Sequence, residues 1–459
     1  MASGILANVA KTEPTTSGPQ VGSDDRRIVG IDMARALALF GMMATHLLPD
    51  SVDGRTVAWW QQVAGGRAAA LFALLAGVSL ALITARAAST PADADPTQAE
   101  STGAGPEETP DRTTEATPER TPDGTQRPSR RTALRAARAG ILVRAAVIAV
   151  LGLFLGQLDT GIAVILTYYG VLFVFGLPFL GLGWRTLAAL AAGWAVVSPV
   201  LSHLVREHLP ERLGPSPSLD FLLQYPVRLV SELVFTGYYP TFQWLAYLLA
   251  GMAIGRLPLR RISVAVGLSV TGAVLAFAAW GTSWLILHRL DGLAHLRATA
   301  PDSSPFDLMP VDQALVRGTF GTTPTTSWWW LTTAAPHSST TFDLFQTIGS
   351  AMVVVGLCLL VCQAVPRVLR VVFAAGAMTL TLYTLHLVAL DLEVGPPRDT
   401  VELYVLHVLG ATAFAMLCIT AVGRGPLESF TRSCSQVARD SVLLVSRERG
   451  REDVSRRPG

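Results

Sequence analysis

The chain has 459 residues, of which 50% are hydrophobic and 15% charged, with a mean hydropathy of +0.42. Its 36 basic residues against 34 acidic ones leave a formal net charge of +2. These values exclude an ordinary soluble domain and give no electrostatic case for a nucleic-acid partner, so the expectation is a multi-pass protein of the lipid bilayer.

Residues 1–27 are rich in Pro, Ser, Thr and Gly and read as a disordered cytoplasmic tail without a cleavable signal. A mostly apolar segment follows at about 28–48, long enough to cross a hydrocarbon core of ~30 Å. It carries Asp32, Arg35 and His46. At ~100° per residue the step from Arg35 to His46 is three turns plus ~20°, so both share a face about 16 Å apart, with Asp32 one turn below. Ionisable groups on such a helix must face protein or water and are candidates for a functional site. The alternative is that Asp32 and Arg35 merely pair at the inner interface while His46 sits among headgroups. Trp59 and Trp60 then fit an interfacial belt. A second helix is predicted over 66–86, with Ala69, Ala73, Gly77 and Ala81 as a stripe for close packing and Arg67 at its outer end. These two helices form the unit 28–86.

Residues 87–135 are Pro, Thr, Glu, Asp, Ala and Arg with little to bury, so they read as a disordered cytoplasmic insertion. The unit 136–422 holds eight further apolar segments, near 139–157, 162–182, 186–204, 241–256, 262–287, 343–365, 369–391 and 400–422. Arginine-rich turns at 255–261 and 366–370, with the arginines before residue 139, place both termini inside. The expected fold class is therefore all-α: a polytopic transmembrane helix bundle of about ten spans in the cell membrane. Long outer loops are expected at 205–240 and 289–341, and a polar cytoplasmic tail at 423–459. Residues 211–240 are a candidate interfacial or re-entrant helix, and Trp328, Trp329 and Trp330 a membrane-surface anchor. Four cysteines form no disulfide framework.

This topology gathers His46, His386, Glu402, His407, Tyr168, Tyr169 and the His337 of PHSSTTFD near the outer side. Imidazoles beside carboxylates in a partly dry cavity suit general acid–base chemistry. A lone membrane histidine is more often a satisfied packing or interface residue, and PHSSTTFD reads equally as a helix start with Thr341 as N-cap and Asp343 at the positive helix end. There is no P-loop, GxGxxG or GxSxG, and the histidines lie on separate helices, so no metal is expected.

The pattern of Asp32, Arg35 and His46, with GRAAALFALLAGVSLAL, TYYGVLFVFGLPFL, TGYYPTFQWLAYLLAGMAIGRL, PHSSTTFD and LTLYTLHLVAL, resembles the transmembrane acyltransferase superfamily. Within it, the chain is similar to actinobacterial-type members of the heparan-alpha-glucosaminide N-acetyltransferase family, except that the usual Arg-Gly is Arg35-Ala36. The resemblance implies an acyltransferase using cytoplasmic acetyl-CoA as donor and an outer-face acceptor such as a cell-envelope glycan. It implies His46, Arg35 and Asp32 as catalytic residues, and Arg35 with Arg67 as donor-binding residues. His337, Tyr168, Tyr169, His386 and Glu402 would then bind the acceptor. A transporter or permease using the same intramembrane charges, or a non-catalytic scaffold, are the alternatives; no inverted repeat favours the carrier. The sequence leaves open a homo-oligomer, the acceptor, and whether His46 acts as base or nucleophile.

Overall fold

The computed structural model describes residues 28–51, 56–88, 129–210, 212–299, 310–364 and 373–455. The tail at 1–27, most of the expected insertion (89–128) and the turn at 366–370 lie outside the described residues. Among the described residues the backbone is helical, with one isolated bridge between Ser51 and Val57. In chain order the helices are α1 Val29–Leu47, α2 Trp59–Ala64, α3 Arg67–Ala88, α4 Arg130–Leu155, α5 Leu166–Gly176, α6 Trp184–Arg206, α7 Leu219–Gln224 and α8 Pro226–Ser231. They continue as α9 Thr241–Gly255, α10 Ile262–Arg289, α11 Gly292–Ala298, α12 Val311–Arg317, α13 Thr341–Ala364, α14 Thr379–Asp391, α15 Val401–Ala421 and α16 Pro426–Ser455.

Among the described residues six helical segments are long and apolar enough to cross a membrane: Trp59–Ala85, Arg130–Leu155, Trp184–Arg206, Ile262–Arg289, Thr341–Ala364 and Val401–Ala421. Four other segments predicted as spans differ from these. α1 carries Asp32 and Arg35, while α5, α9 and α14 have 11, 15 and 13 residues. Burial accounts for the difference. Every residue of α9 except Phe242 is buried, and a helix of ~22 Å wrapped by other helices need not match a ~30 Å hydrocarbon core. α10 and α15 are the opposite case, exposing Val270, Val274, Phe277, Leu409 and Leu417. α10 and α15 thus lie at the periphery, while the long α3 and α13 are largely buried together with the short α9.

The predicted small-residue stripe on α3 is where α9 packs. A Cβ at Gly77 would overlap the Leu248 carbonyl oxygen, and one at Gly251 the Leu74 carbonyl oxygen. Only glycine allows two backbones this close.

Several boundaries differ from expectation. α4 begins at Arg130, where the Ser129 hydroxyl accepts a hydrogen bond from the Thr132 N–H at 3.2 Å, so residues 130–135 belong to a helix and not to the insertion. The segment predicted over 369–391 contains a 3₁₀ turn, Ala374–Ala377, before α14; a Cβ at Gly376 would overlap the Asp32 carbonyl oxygen, so this turn is pressed onto α1. The polar tail after residue 423 contains the helix α16, packed along α4 with Arg439 over Gly140. Within 205–240 lie α7, α8 and a π-helical turn, Glu232–Thr236. Trp330 is buried with Leu287, Leu296 and Val311, and Trp329 stacks on His295. The tryptophans expected as a membrane anchor instead build a small core, with Trp328 the exposed member.

Candidate active site

α1 carries the polar stripe into the bundle, and its partners fix each group. Arg35 Nη1 donates to Asp32 Oδ1 at 2.9 Å and Nη2 donates to Ser79 Oγ on α3 at 2.7 Å. Ser79 Oγ in turn donates to the Leu75 carbonyl at 2.6 Å, which leaves its lone pairs for the guanidinium. The Asp32–Arg35 pairing considered from spacing therefore exists within α1, and Ser79 of α3 joins it. The pairing holds the guanidinium at the wall of a cavity of about 320 Å³ lined by α1, α3, α4, α5, α14 and the start of α16. A volume near 300 Å³ is within the usual range for a small-molecule site.

The cavity is polarised. Arg35 is bonded to Ser79, and Arg144 lies within electrostatic reach of Arg35 and of Glu428. About two turns further along α1 is Met42; Phe72 stacks on Tyr169 and Tyr383 faces the Ile165 N–H, while Leu75, Ile148 and Phe173 add apolar wall. Glu428 also organises the wall: its Oε1 accepts from the Leu380 and Thr381 N–H groups at 2.8 and 3.1 Å, and its Oε2 from Thr381 Oγ1 at 2.6 Å. α14 has no side-chain cap of its own at Met378, so the first residues of α16 supply one.

His46 lies one turn beyond Met42 on α1, about 6 Å further along the axis, and is not part of the cavity wall. Its Nδ1 is 3.2 Å from Nε2 of His386 on α14, with the rings stacked at 5.5 Å. His386 Nδ1 is 2.9 Å from Nδ1 of His407 on α15, with the rings perpendicular. Three histidines that the sequence scattered over three helices are thus one hydrogen-bonded chain. No group of three His, Cys, Asp or Glu placed to hold a metal occurs among the described residues.

His337 is in the segment before α13, within electrostatic reach of His46 and edge-on to Tyr238 and Tyr239 at 5.2 and 5.8 Å. Its φ is +53° and that of Ser339 +51°, left-handed values that non-glycine residues hold only where the surroundings impose them. Here the His337 carbonyl accepts from the Gly321 N–H at 2.7 Å and Asp343 Oδ2 from the Ser339 N–H at 2.9 Å. Burial pushes the imidazole down to about 4, so it is uncharged at neutral pH. The N-cap of α13 is Thr340, whose Oγ1 accepts from the Asp343 N–H at 3.1 Å, and not Thr341 as expected.

Of the remaining candidates, Tyr169 lines the cavity and donates to the Ala69 carbonyl at 3.2 Å. Tyr168 sits behind it, accepting from the Tyr238 N–H at 3.2 Å beside the buried Glu232. Glu402 is exposed in the first turn of α15 and joins neither the cavity nor the histidine chain. Arg67 binds the Gln62 carbonyl at the start of α3. Twelve residues, about 18 Å of helix, separate it from Ser79, so it does not meet Arg35. Arg144 was visible as a lone charge in ILVRAAV; Glu428 gave no signal, because it lies outside every apolar segment.

The family model of the heparan-alpha-glucosaminide N-acetyltransferase catalytic domain matches residues 27–287, more than half of the chain. The match covers Asp32, Arg35, His46, Arg67, Arg144, Tyr168 and Tyr169 and ends before His337, His386, Glu402 and His407. No curated protein and no solved structure matches the chain. With an all-helical bundle and six membrane-length apolar helices around this site, the chain is a multi-pass membrane protein that belongs to the heparan-alpha-glucosaminide N-acetyltransferase catalytic-domain family.

Proposed function

We propose that the chain transfers an acetyl group from cytoplasmic acetyl-CoA to an amine or hydroxyl of an outer-face acceptor, such as a cell-envelope glycan. In this reading α1, α5, α9 and α14 join the six long segments in a ten-span bundle of the cell membrane with both termini inside. Arg130 and Arg256 bind the neighbouring Gly181 and Leu180 carbonyls, with Arg131, Arg135, Arg138, Arg260 and Arg261 close to them in sequence, and arginines at one end of the bundle support its cytoplasmic orientation.

The observation that carries the reading is the polarity of the cavity along α1. Arg35 and Arg144 suit the anionic part of the donor, the apolar wall of Leu75, Ile148 and Phe173 its extended arm, and Met42 is the last wall residue of α1 before His46. His46 Nε2 has no hydrogen-bond partner among the described residues and is free to take a proton from the acceptor. The acceptor nitrogen or oxygen then bonds to the acetyl carbonyl carbon, the carbon–sulfur bond breaks, and the thiolate takes up a proton. Arg35 holds the donor, and Asp32 orients Arg35.

The test uses purified full-length protein, labelled acetyl-CoA and glucosamine as the amine probe. CoA release and acetyl transfer are expected in the native chain, and His46→Ala is expected to lose both while keeping its circular dichroism and membrane insertion. Transfer at the native rate by His46→Ala, or glucosamine flux without CoA release, overturns the reading.

A further inference from the structure

The histidine chain goes beyond what a single base requires. His386 is 3% exposed, and both of its ring nitrogens are engaged by other imidazoles. No carboxylate bonds any of the three rings among the described residues, and the charged group that acts on His386 is Arg398. An imidazolium there would be a buried charge facing a positive neighbour, with no anion to offset it. A neutral imidazole has one N–H, so His386 can donate through only one nitrogen and must accept through the other.

Two assignments satisfy both contacts with all rings neutral. In the first, His46 Nδ1–H donates to His386 Nε2 and His386 Nδ1–H donates to His407 Nδ1, leaving His46 Nε2 empty and His407 Nε2 protonated. In the second every bond is reversed: His407 Nδ1–H donates to His386 Nδ1 and His386 Nε2–H to His46 Nδ1, leaving His46 Nε2 protonated and His407 Nε2 empty. The two states interconvert when a proton enters at one end and another leaves at the far end.

We propose that His46, His386 and His407 form a proton relay, by which His46 serves as base and then as acid without becoming an imidazolium inside the bundle. As the acceptor's nitrogen or oxygen bonds to the acetyl carbon, its proton passes to His46 Nε2, the two internal protons shift, and His407 Nε2 releases a proton. As the carbon–sulfur bond breaks, the sulfur takes the proton from His46 Nε2 and His407 Nε2 recovers one. One proton out and one in balance the transfer from a hydroxyl or neutral amine; an ammonium acceptor loses one more proton beforehand. His407 is half-buried on α15, six residues or about 9 Å from its first residue, so its free nitrogen lies toward the end of the bundle where the acceptor binds. The relay rests on the proposed acetyl transfer at His46. His46 is the residue that touches substrate, and His386 and His407 act through it.

The relay is tested on the full-length protein in nanodiscs. With ¹⁵N-histidine labelling, two N–H···N scalar couplings joining the three rings, and three neutral rings at pH 7, are expected. In His407→Ala the His46–His386 coupling is expected to remain and the coupling from His386 Nδ1 to be lost. In the acetyl-CoA and glucosamine assay, His407→Ala is expected to lower kcat ~10²-fold with KM little changed. Imidazole should restore the rate and thiazole, of similar shape but lacking an N–H, should not. Absent couplings, an imidazolium at His386, native kcat in His407→Ala, or equal rescue by thiazole overturns the relay. Couplings as expected, with transfer by His46→Ala undiminished, would instead sink the reading of His46 as base.

Discussion

Glu428 is the test of whether the C-terminal helix is part of the working fold. In Glu428→Ala, α14 loses the acceptor of two backbone N–H bonds, at 2.8 and 3.1 Å, and of the Thr381 hydroxyl at 2.6 Å. Losing a cap costs about 1 kcal/mol, and hydrogen bonds to a charged acceptor about 1.5–3 kcal/mol each. The half-buried site lets water replace part of this, so the expected loss is about 2 kcal/mol. Glu428→Gln keeps one oxygen for the two N–H groups but loses the charge at the helix start, for about 1 kcal/mol. Titration with SDS in mixed micelles, followed by tryptophan fluorescence, measures both. The cycle with Thr381→Val isolates the hydroxyl bond, with an expected coupling of about 1 kcal/mol. A loss below about 0.5 kcal/mol for the alanine variant, or additive single variants, would refute the idea that α16 caps α14.

Three further outcomes follow from single contacts. Arg144→Ala is expected to raise the KM for acetyl-CoA by about tenfold with kcat little changed, because one charge-assisted contact of about 1.5 kcal/mol is lost; steady-state CoA release checks it. Gly251→Ala forces a methyl onto the Leu74 carbonyl and is expected to cost about 1–3 kcal/mol, read in the same SDS titration. His337 titrates at about 4 when folded, against 6.5 for an unperturbed histidine. Its contribution is complete above the unfolded value and declines on the order of 1 kcal/mol per pH unit as pH falls from 6.5 toward 4. Comparing native and His337→Gln stability over that range measures it, and equal slopes would remove the claim.

How much could be read beforehand depended on whether the signal was local. Membrane helices announce themselves by hydropathy, and the α3 stripe from Ala69 to Ala81 announced its close packing, because both are properties of one segment. Arg35 could be placed on a polar face by its spacing, and its partner Asp32 by proximity in sequence. The histidine chain was not legible as a chain. His46, His386 and His407 are hundreds of residues apart or on different helices, and only tertiary packing sets a 3 Å contact. α16 escaped for another reason: a helix that lies against α4 with a polar face toward water has no long apolar run to reveal it. Thr340 took the cap from Thr341 because the Asp343 N–H, three residues on, fixes which hydroxyl is in reach.

Arg144 and His407 lie on the long helices α4 and α15, of 26 and 21 residues, and the other reactive groups on shorter ones. α1 and α14 carry Asp32, Arg35, His46 and His386, side chains that are costly against lipid and inexpensive against protein. A short helix such as α14, 13 residues long, leaves its ends inside the bundle. Its unpaired N–H groups must then be met by another part of the chain. Glu428 meets them at one end, and at the other His386 reaches His46 and His407. The same shortness that makes α14 a poor membrane span brings a capped, positively polarised helix start to the arginine end of the cavity. It also brings an imidazole to the histidine end, and one rigid rod thereby couples the two places where a donor and an acceptor would meet.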